Sequence, residues 1–357
     1  MPVAKSAPIS PPSTIIVTGA SGFIGAHTIS LLLQHGFNVV GTVRSQEKAT
    51  AVEELHVNIT PDCAHLLTTA IVPDMTDPDA YTALFQSVQP SAVLHLASPF
   101  SYTATNFEQD LVTPAIRGTE AVLKASAHTS SVHRVVQTNS FACIYDAALG
   151  PRPGYTYTSR DWCPLTYEDG VNAPNAPVAY RASKTVAERL AWEFMESTRG
   201  FDFVSLCPAM VFGPFLESAL PKSLKELNTS NQLVWDVVSA GENGDVPPTK
   251  APVWIDVRDV AEAHVKALEN SSLGGRRLLL AKGVYCNQEI ADVARSIVSK
   301  QKHRMPIGNP GLREAEKHFA VDASTAQSDL GLKWRSLKES LSDLLPQLYR
   351  IEAQSIE

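Results

Sequence analysis

The chain has 357 residues, 44% hydrophobic and 19% charged, the balance of a soluble globular enzyme with a sizeable core. Acidic residues outnumber basic ones by 37 to 30, and the net charge of −7 argues against nucleic acid or acidic membranes as main partners. Cys63, Cys143, Cys163, Cys207 and Cys286 form no CxxC pair, which sets aside a disulfide framework or zinc site and suits a reducing, cytoplasmic setting.

The opening "MPVAKSAPISPPS" lacks the apolar core of a signal peptide and reads as a flexible leader over 1–12. "TIIVT" (14–18) is a buried strand, followed by a glycine-rich turn and a helix, "FIGAHTISLLLQHG", that ends at Gly36. "NVVGTVR" (38–44) and "HLLTTAIV" (65–72) are the next strands, and Asp77 with Pro78 starts a helix. A helix spans roughly 107–127 and another roughly 178–198. Strands at "AVLHLA" (92–97), "RVVQTN" (134–139) and "DFVSLCP" (202–208) complete the alternation. Residues 213–250 are rich in Pro, Gly, Ser and Asn, 253–269 reads as a helix, and a strand ("RRLLLA") and two or three helices follow. The longest apolar run, "FVSLCPAMVFGPFL", is too short for a membrane span and holds two prolines. The expected class is α/β, a Rossmann-type doubly wound parallel sheet with a smaller C-terminal substrate-binding lobe. Residues 13–208 are expected to form the sheet domain with 253–285 returning to it, and 209–252 and 286–357 the lobe.

Gly19, Gly22 and Gly25 fall between the first strand and its helix, where glycines allow a tight turn and close approach of backbone to a pyrophosphate. NAD sites carry an acid at the end of the second strand, whereas this chain has Arg44 and then Lys48, which suit the 2′-phosphate of NADP(H). Tyr180 and Lys184 lie four residues apart on one helix face. The phenol supplies a proton and the ammonium lowers its pKa, while Ser140, just after a strand, holds a carbonyl oxygen. The spacing alone does not separate this from a helix surface; its company does. No HxxxH or HExxH pair occurs, "DMTDPD" lacks the glycine and glutamate of a calcium loop, and His95 reads as a packed core residue, so no metal is expected.

In order, "TGASGFIG", "VRSQEKA", "HLASPF", "TNSFA", "YRASK" and "PAMVFGP" resemble the extended short-chain dehydrogenase/reductase family. The similarity is greatest to its dihydroflavonol-4-reductase-like branch, which includes yeast methylglyoxal and aldehyde/ketone reductases. It runs from about Ser13 to "GLKWRSLKESL". The resemblance implies a catalytic triad at Ser140, Tyr180 and Lys184. It implies a cofactor site at Gly19, Ser21, Gly22, Phe23, Ile24, Gly25, Arg44, Lys48, Asp74, Met75, Ala97, Ser98, Tyr180, Lys184, Pro208 and Val211. Phe100, Ser140, Phe141, Tyr180, Met210 and Phe215 would meet the substrate, with Phe212 as a further apolar wall. Asn139 stands where the family often has serine.

The reading is an NADPH-dependent carbonyl reductase acting on a secondary-metabolite or polyketide-type ketone or a small aldehyde, as a monomer or homodimer. A nucleotide-sugar epimerase or dehydratase and a non-catalytic NADP-sensing regulator are the alternatives.

Overall fold

The computed structural model describes residues 7–100 and 103–354. The strands in chain order are β1 (Thr14–Thr18), β2 (Asn38–Val43), β3 (Leu67–Ile71), β4 (Ala92–His95), β5 (Arg134–Thr138) and β6 (Thr156–Tyr157). They continue with β7 (Asp202–Pro208), β8 (Met210–Phe212), β9 (Val253–Asp256), β10 (Arg277–Leu280), β11 (Gly283–Val284) and β12 (Ala320–Val321). Seven make one sheet in the order β10-β7-β5-β4-β1-β2-β3, with parallel pairing at β1–β2, β2–β3, β1–β4, β4–β5 and β5–β7. The chain moves outward from β1 through β3, then returns to lay β4 on β1's other side. That reversal opens a crevice at the carboxyl ends of β1 and β4.

The strands are β-branched runs because helices cover both faces of the sheet. Ile15, Ile16, Val17, Val93, Leu94 and Val136 are all fully buried. Ile16 and Val93 share a core with Phe85, Val122, Phe201 and Phe203, drawn from helices and strands on one side of the sheet. Helix starts follow their caps. Asp77 accepts from the N–H groups of Asp79 and Ala80 ahead of Pro78–Val88, and Asn175 accepts from Val178 N–H at 3.1 Å ahead of Ala176–Ser197.

Arg134, at the start of β5, is completely buried. Its guanidinium pairs with Asp202 at 2.6 and 2.7 Å and donates to the carbonyl oxygens of Ala267 (2.6 Å) and Asn270 (2.7 Å). Sheet and helix end are thereby joined through one charge whose partners are all in place.

Two compact units emerge. Residues up to Asp146, Ser159–Cys207 and Ala261–Leu279 form the first; Ala147–Thr158, Pro208–Val260 and the chain from Leu280 onward form the second. The second unit holds a three-stranded sheet, β11-β9-β8, a two-stranded one, β12-β6, and helices that include Thr229–Val238, Asn287–Ile297 and Leu337–Gln354. It takes in 147–158, 253–260 and 280–285, which were expected in the first domain, and there β6 pairs with β12 and β9 pairs with both β8 and β11.

Three local expectations need correction. Residues 253–269 are not one helix: β9 occupies Val253–Asp256 and the helix begins at Val257. The helix expected at 107–127 starts with a π-type turn, Glu108–Val112, before regular α-geometry at Thr113–Ala127. Residues 1–6 of the expected flexible leader lie outside the described residues. Beyond them the segment is docked, with Ile9 buried and its N–H donating to Leu268 O at 3.1 Å.

Candidate active site

The turn after β1 is built around glycine. Gly19 has φ of +72°, and a Cβ there would lie 3.0 Å from the backbone nitrogen of Ala97. A Cβ on Gly25 would lie 2.4 Å from Gly19 O, so only glycine lets the helix Phe23–Gln34 start this close to the turn. Gly22, its N-cap, offers no side-chain cap, which leaves the first helical turn available to an anion. Ser21 and Gly22 are exposed, and Phe23 and Ile24 half-buried.

Thr18 stitches the two strand ends together. Its hydroxyl oxygen accepts from Leu96 N–H (3.1 Å) and Ala97 N–H (3.0 Å) and lies 2.9 Å from His95 Nδ1. With both acceptor positions taken, the Thr18 hydroxyl donates to Nδ1, and the ring proton sits on Nε2. Burial, with help from the Lys184 charge, pushes the His95 pKa down to about 3. His95 is the packed core residue expected from the sequence, and its burial keeps it neutral. This stitching sets Ala97 and Ser98, both half-buried, beside the glycine turn.

Arg44 is exposed directly after β2, and half-buried Lys48 lies in the first turn of the helix Gln46–Ile59. Neither forms an ion pair among the described residues. The Asp74 carboxylate is held below its ordinary pKa by Thr76, whose N–H and hydroxyl both donate to it at 2.8 Å. Met75 packs over Gly118, where a Cβ would lie 2.6 Å from the methionine methyl.

Tyr180 and Lys184 sit on the helix Ala176–Ser197 beside the end of β5. Lys184 is 4% exposed, and its ammonium donates to Thr138 O at 2.9 Å, two residues before Ser140. Burial pulls the Lys184 pKa below its ordinary value. Ser140 caps the short helical turn Phe141–Cys143, its Oγ accepting from Ala142 N–H at 3.1 Å. The Phe100 ring meets Tyr180 edge-on with centroids 5.0 Å apart, although Phe100 itself is 48% exposed. Phe141 is buried and stacks on Tyr145 at 5.1 Å.

Asn139 turns its amide into the interior, donating to Ser205 Oγ at 2.9 Å. The departure at this position is therefore absorbed beneath the site, and Ser140 is the hydroxyl left at the strand end. Cys143 and Cys207 are buried thiols pushed up by that burial, Cys207 to about 12, so neither is a nucleophile at neutral pH.

Pro208, Met210, Val211 and Phe215 belong to the second unit. Met210 and Val211 lie in β8 opposite Trp254 and Ile255. Phe215 is buried, its backbone N–H and C=O both bonded to the Gln347 amide at 2.8 and 2.9 Å. Phe212, expected as an apolar wall, is instead taken up by packing. It is fully buried, stacked on Trp254 at 5.8 Å and edge-on to Tyr285 at 5.2 Å. Among the described residues, no group of three or more His, Cys, Asp or Glu is placed to hold a metal, and no helix is long and apolar enough to cross a membrane.

What the sequence reading missed is the polar layer below the expected triad. Glu188, one turn past Lys184, is a fully buried carboxylate paired with Arg277 from β10. The continued four-residue spacing of Tyr180, Lys184 and Glu188 was its one sequence signal.

The family model described as "NAD dependent epimerase/dehydratase family" matches residues 15–281. An NADPH-dependent methylglyoxal reductase, GRE2, of Saccharomyces cerevisiae is 34% identical, with 96% of this chain and 99% of the relative covered. A ketoreductase, azaE, of Aspergillus niger is 33% identical over 92% of this chain and 95% of its own length. The crystal structure of the yeast methylglyoxal/isovaleraldehyde reductase Gre2 complexed with NADPH superposes with a TM-score of 0.87 at 32% identity, covering 96% of this chain and 99% of that one.

Proposed function

The chain belongs to the NAD dependent epimerase/dehydratase family, and from that membership we propose that it is an NADPH-dependent carbonyl reductase, turning an aldehyde or ketone into an alcohol. One observation carries the reading: buried Lys184 is bonded to the end of β5 at Thr138, between Tyr180 one turn before it and Ser140 two residues on. The relatives named as methylglyoxal reductase and ketoreductase support a carbonyl substrate.

The residues fit the cofactor. The space left by the missing Cβ atoms of Gly19 and Gly25 suits close approach of a pyrophosphate. Arg44 and Lys48, with no acid between β2 and its helix, suit a 2′-phosphate. When bound, NADPH supplies the hydride.

The chain's own residues do the rest. The Ser140 oxygen accepts from Ala142 N–H, which leaves its O–H to donate to the substrate oxygen. Tyr180 gives that oxygen its proton. An unperturbed phenol has a pKa of about 10, and the Lys184 charge stabilises the phenolate left behind. Lys184 has two further N–H groups to hold the ribose. Phe100, edge-on to Tyr180, covers the phenol on one side. Five cysteines outside any disulfide suit a reducing, cytosolic setting for this work.

The test is Tyr180→Phe, assayed by NADPH consumption with methylglyoxal, isovaleraldehyde and an aryl ketone. Turnover falls by about 10²- to 10⁴-fold while NADPH still binds. Full activity in this variant would sink the assignment, and tightly bound NAD in the purified protein would favour an epimerase instead.

A further inference from the structure

Glu188 shares a helix face with Tyr180 and Lys184. Arg277 meets its carboxylate with two parallel bonds, Nε to Oε1 at 2.8 Å and Nη2 to Oε2 at 2.9 Å. The same guanidinium donates to the carbonyl oxygens of Ser159 (2.8 Å), Asp161 (2.6 Å) and Cys143 (3.1 Å), and lies 3.8 Å above the Trp162 ring. Cys143 ends the short turn that Ser140 begins. Oε1 also accepts from the Ser205 hydroxyl, which in turn accepts from Asn139, the residue before Ser140. One buried ion pair therefore reaches the Tyr180 helix, the residue before Ser140 and the residue that closes the Ser140 turn.

Stability does not call for charges at this place. Two ions are expensive to bury, and well-packed apolar residues of similar volume often do as well or better. What apolar residues lack is the ability to hold separate segments in one directional geometry.

We propose that Glu188 and Arg277 are positioning residues for the reaction, keeping the Ser140 turn in register with Tyr180 and Lys184. This rests on the carbonyl-reductase reading of the site. Glu188 also sets a negative charge one turn from Lys184. The other groups facing that ammonium are His95 from β4, Cys143 from the Ser140 turn, Cys207 from β7 and the Thr138 carbonyl from β5. The histidine and both thiols are neutral near pH 7, and Glu188 is the carboxylate of this set, paired with the Arg277 guanidinium.

Three full-length variants test the pair with NADPH and methylglyoxal: Arg277→Lys, Glu188→Gln, and the double variant E188L/R277M. Arg277→Lys keeps a cation but loses the planar fork. It should lower the melting temperature as the Ser159, Asp161 and Cys143 carbonyls lose their donor. At a temperature where the variant is fully folded, kcat should fall about 10- to 100-fold with NADPH affinity and KM little changed. Glu188→Gln should move the alkaline limb of the kcat profile to lower pH, because a lost negative charge eases deprotonation of Tyr180 and Lys184. The double variant, which removes both charges, should move that limb less and still turn over slowly. Wild-type kcat in Arg277→Lys overturns the proposal, as does a kcat that falls only in step with melting temperature. Should the double variant fail to fold, Arg277→Lys decides alone. An active Tyr180→Phe would fail the underlying reading. An inactive Tyr180→Phe beside a fully active Arg277→Lys would fail the positioning role only.

Discussion

Two buried cations sit at opposite ends of β5 and are treated in opposite ways. Arg134, at its start, has a bidentate carboxylate and two main-chain oxygens within 2.7 Å. Lys184, at its end, has a single carbonyl partner, and among the described residues its other two N–H groups have none. A low-dielectric interior makes a fully satisfied charge rigid and a partly satisfied one costly. The completed cation is a fastener. On the proposed reading, Lys184 beside Tyr180 and Ser140 keeps its remaining N–H groups for the cofactor ribose.

Replacing each cation by methionine breaks the comparison most directly. Lys184→Met should cost about 10³-fold in kcat/KM, since the phenol loses its neighbouring charge. The same change should leave the melting temperature level or raised, because an under-partnered buried ammonium is gone. Arg134→Met should do the reverse. Asp202 becomes an uncompensated buried carboxylate, for a loss of about 3–5 kcal/mol in urea unfolding, while kcat of the folded fraction is unchanged. Equal effects of the two variants on both readouts would erase the distinction.

Only one of these two sites was legible beforehand. The Tyr180 and Lys184 spacing is local, and the order of glycine turn, basic strand end and serine gave it meaning. Arg134 lies in "RVVQTN", where nothing marks it apart from its strand neighbours, and its carboxylate is 68 residues away. Glu188 and Arg277 are 89 residues apart, so their pairing is hidden for the same reason, although the four-residue spacing from Lys184 marks Glu188 itself. β9 was absorbed into the following helix because Asp256 passes to Val257 with no intervening turn, so the apolar pattern runs on unbroken. The strands β6 and β12 are two residues each, too short for any periodicity. What sequence conveys well here is the site carried on consecutive turns and strand ends. What it hides is the layer beneath, made by contacts across the sheet.

The glycine turn and the Arg44 corner extend the contrast to exposed charge. Arg44 is exposed and has no carboxylate partner among the described residues, so Arg44→Ala should leave stability alone. Its effect should fall on NADPH, with Kd rising about 10- to 100-fold through loss of charge-assisted bonds to the 2′-phosphate. NADH binding, measured by the same fluorescence titration, should not change. A matching loss for both cofactors would remove Arg44 from the 2′-phosphate site.

His56 supplies the third case, a buried titratable group with no partner. It lies on the helix Gln46–Ile59, fully buried, and among the described residues neither ring nitrogen has a hydrogen-bond partner. Burial takes its pKa from 6.5 down to about 4. The unfolded chain thus binds a proton that the folded chain refuses between those values, and stability falls as pH drops through that window. Between pH 7 and 5.5 the loss is about 1 kcal/mol from His56. His95, lowered to about 3, adds a loss of the same sign. His56→Leu removes its own contribution, so the stability difference between pH 7 and 5.5 in urea unfolding should shrink by about 1 kcal/mol, while Asp259, raised to about 6, acts in the opposite sense in both proteins. An unchanged difference would mean that His56 finds a partner or water in the folded chain. Partnerless burial would then be no third category beside Arg134 and Lys184.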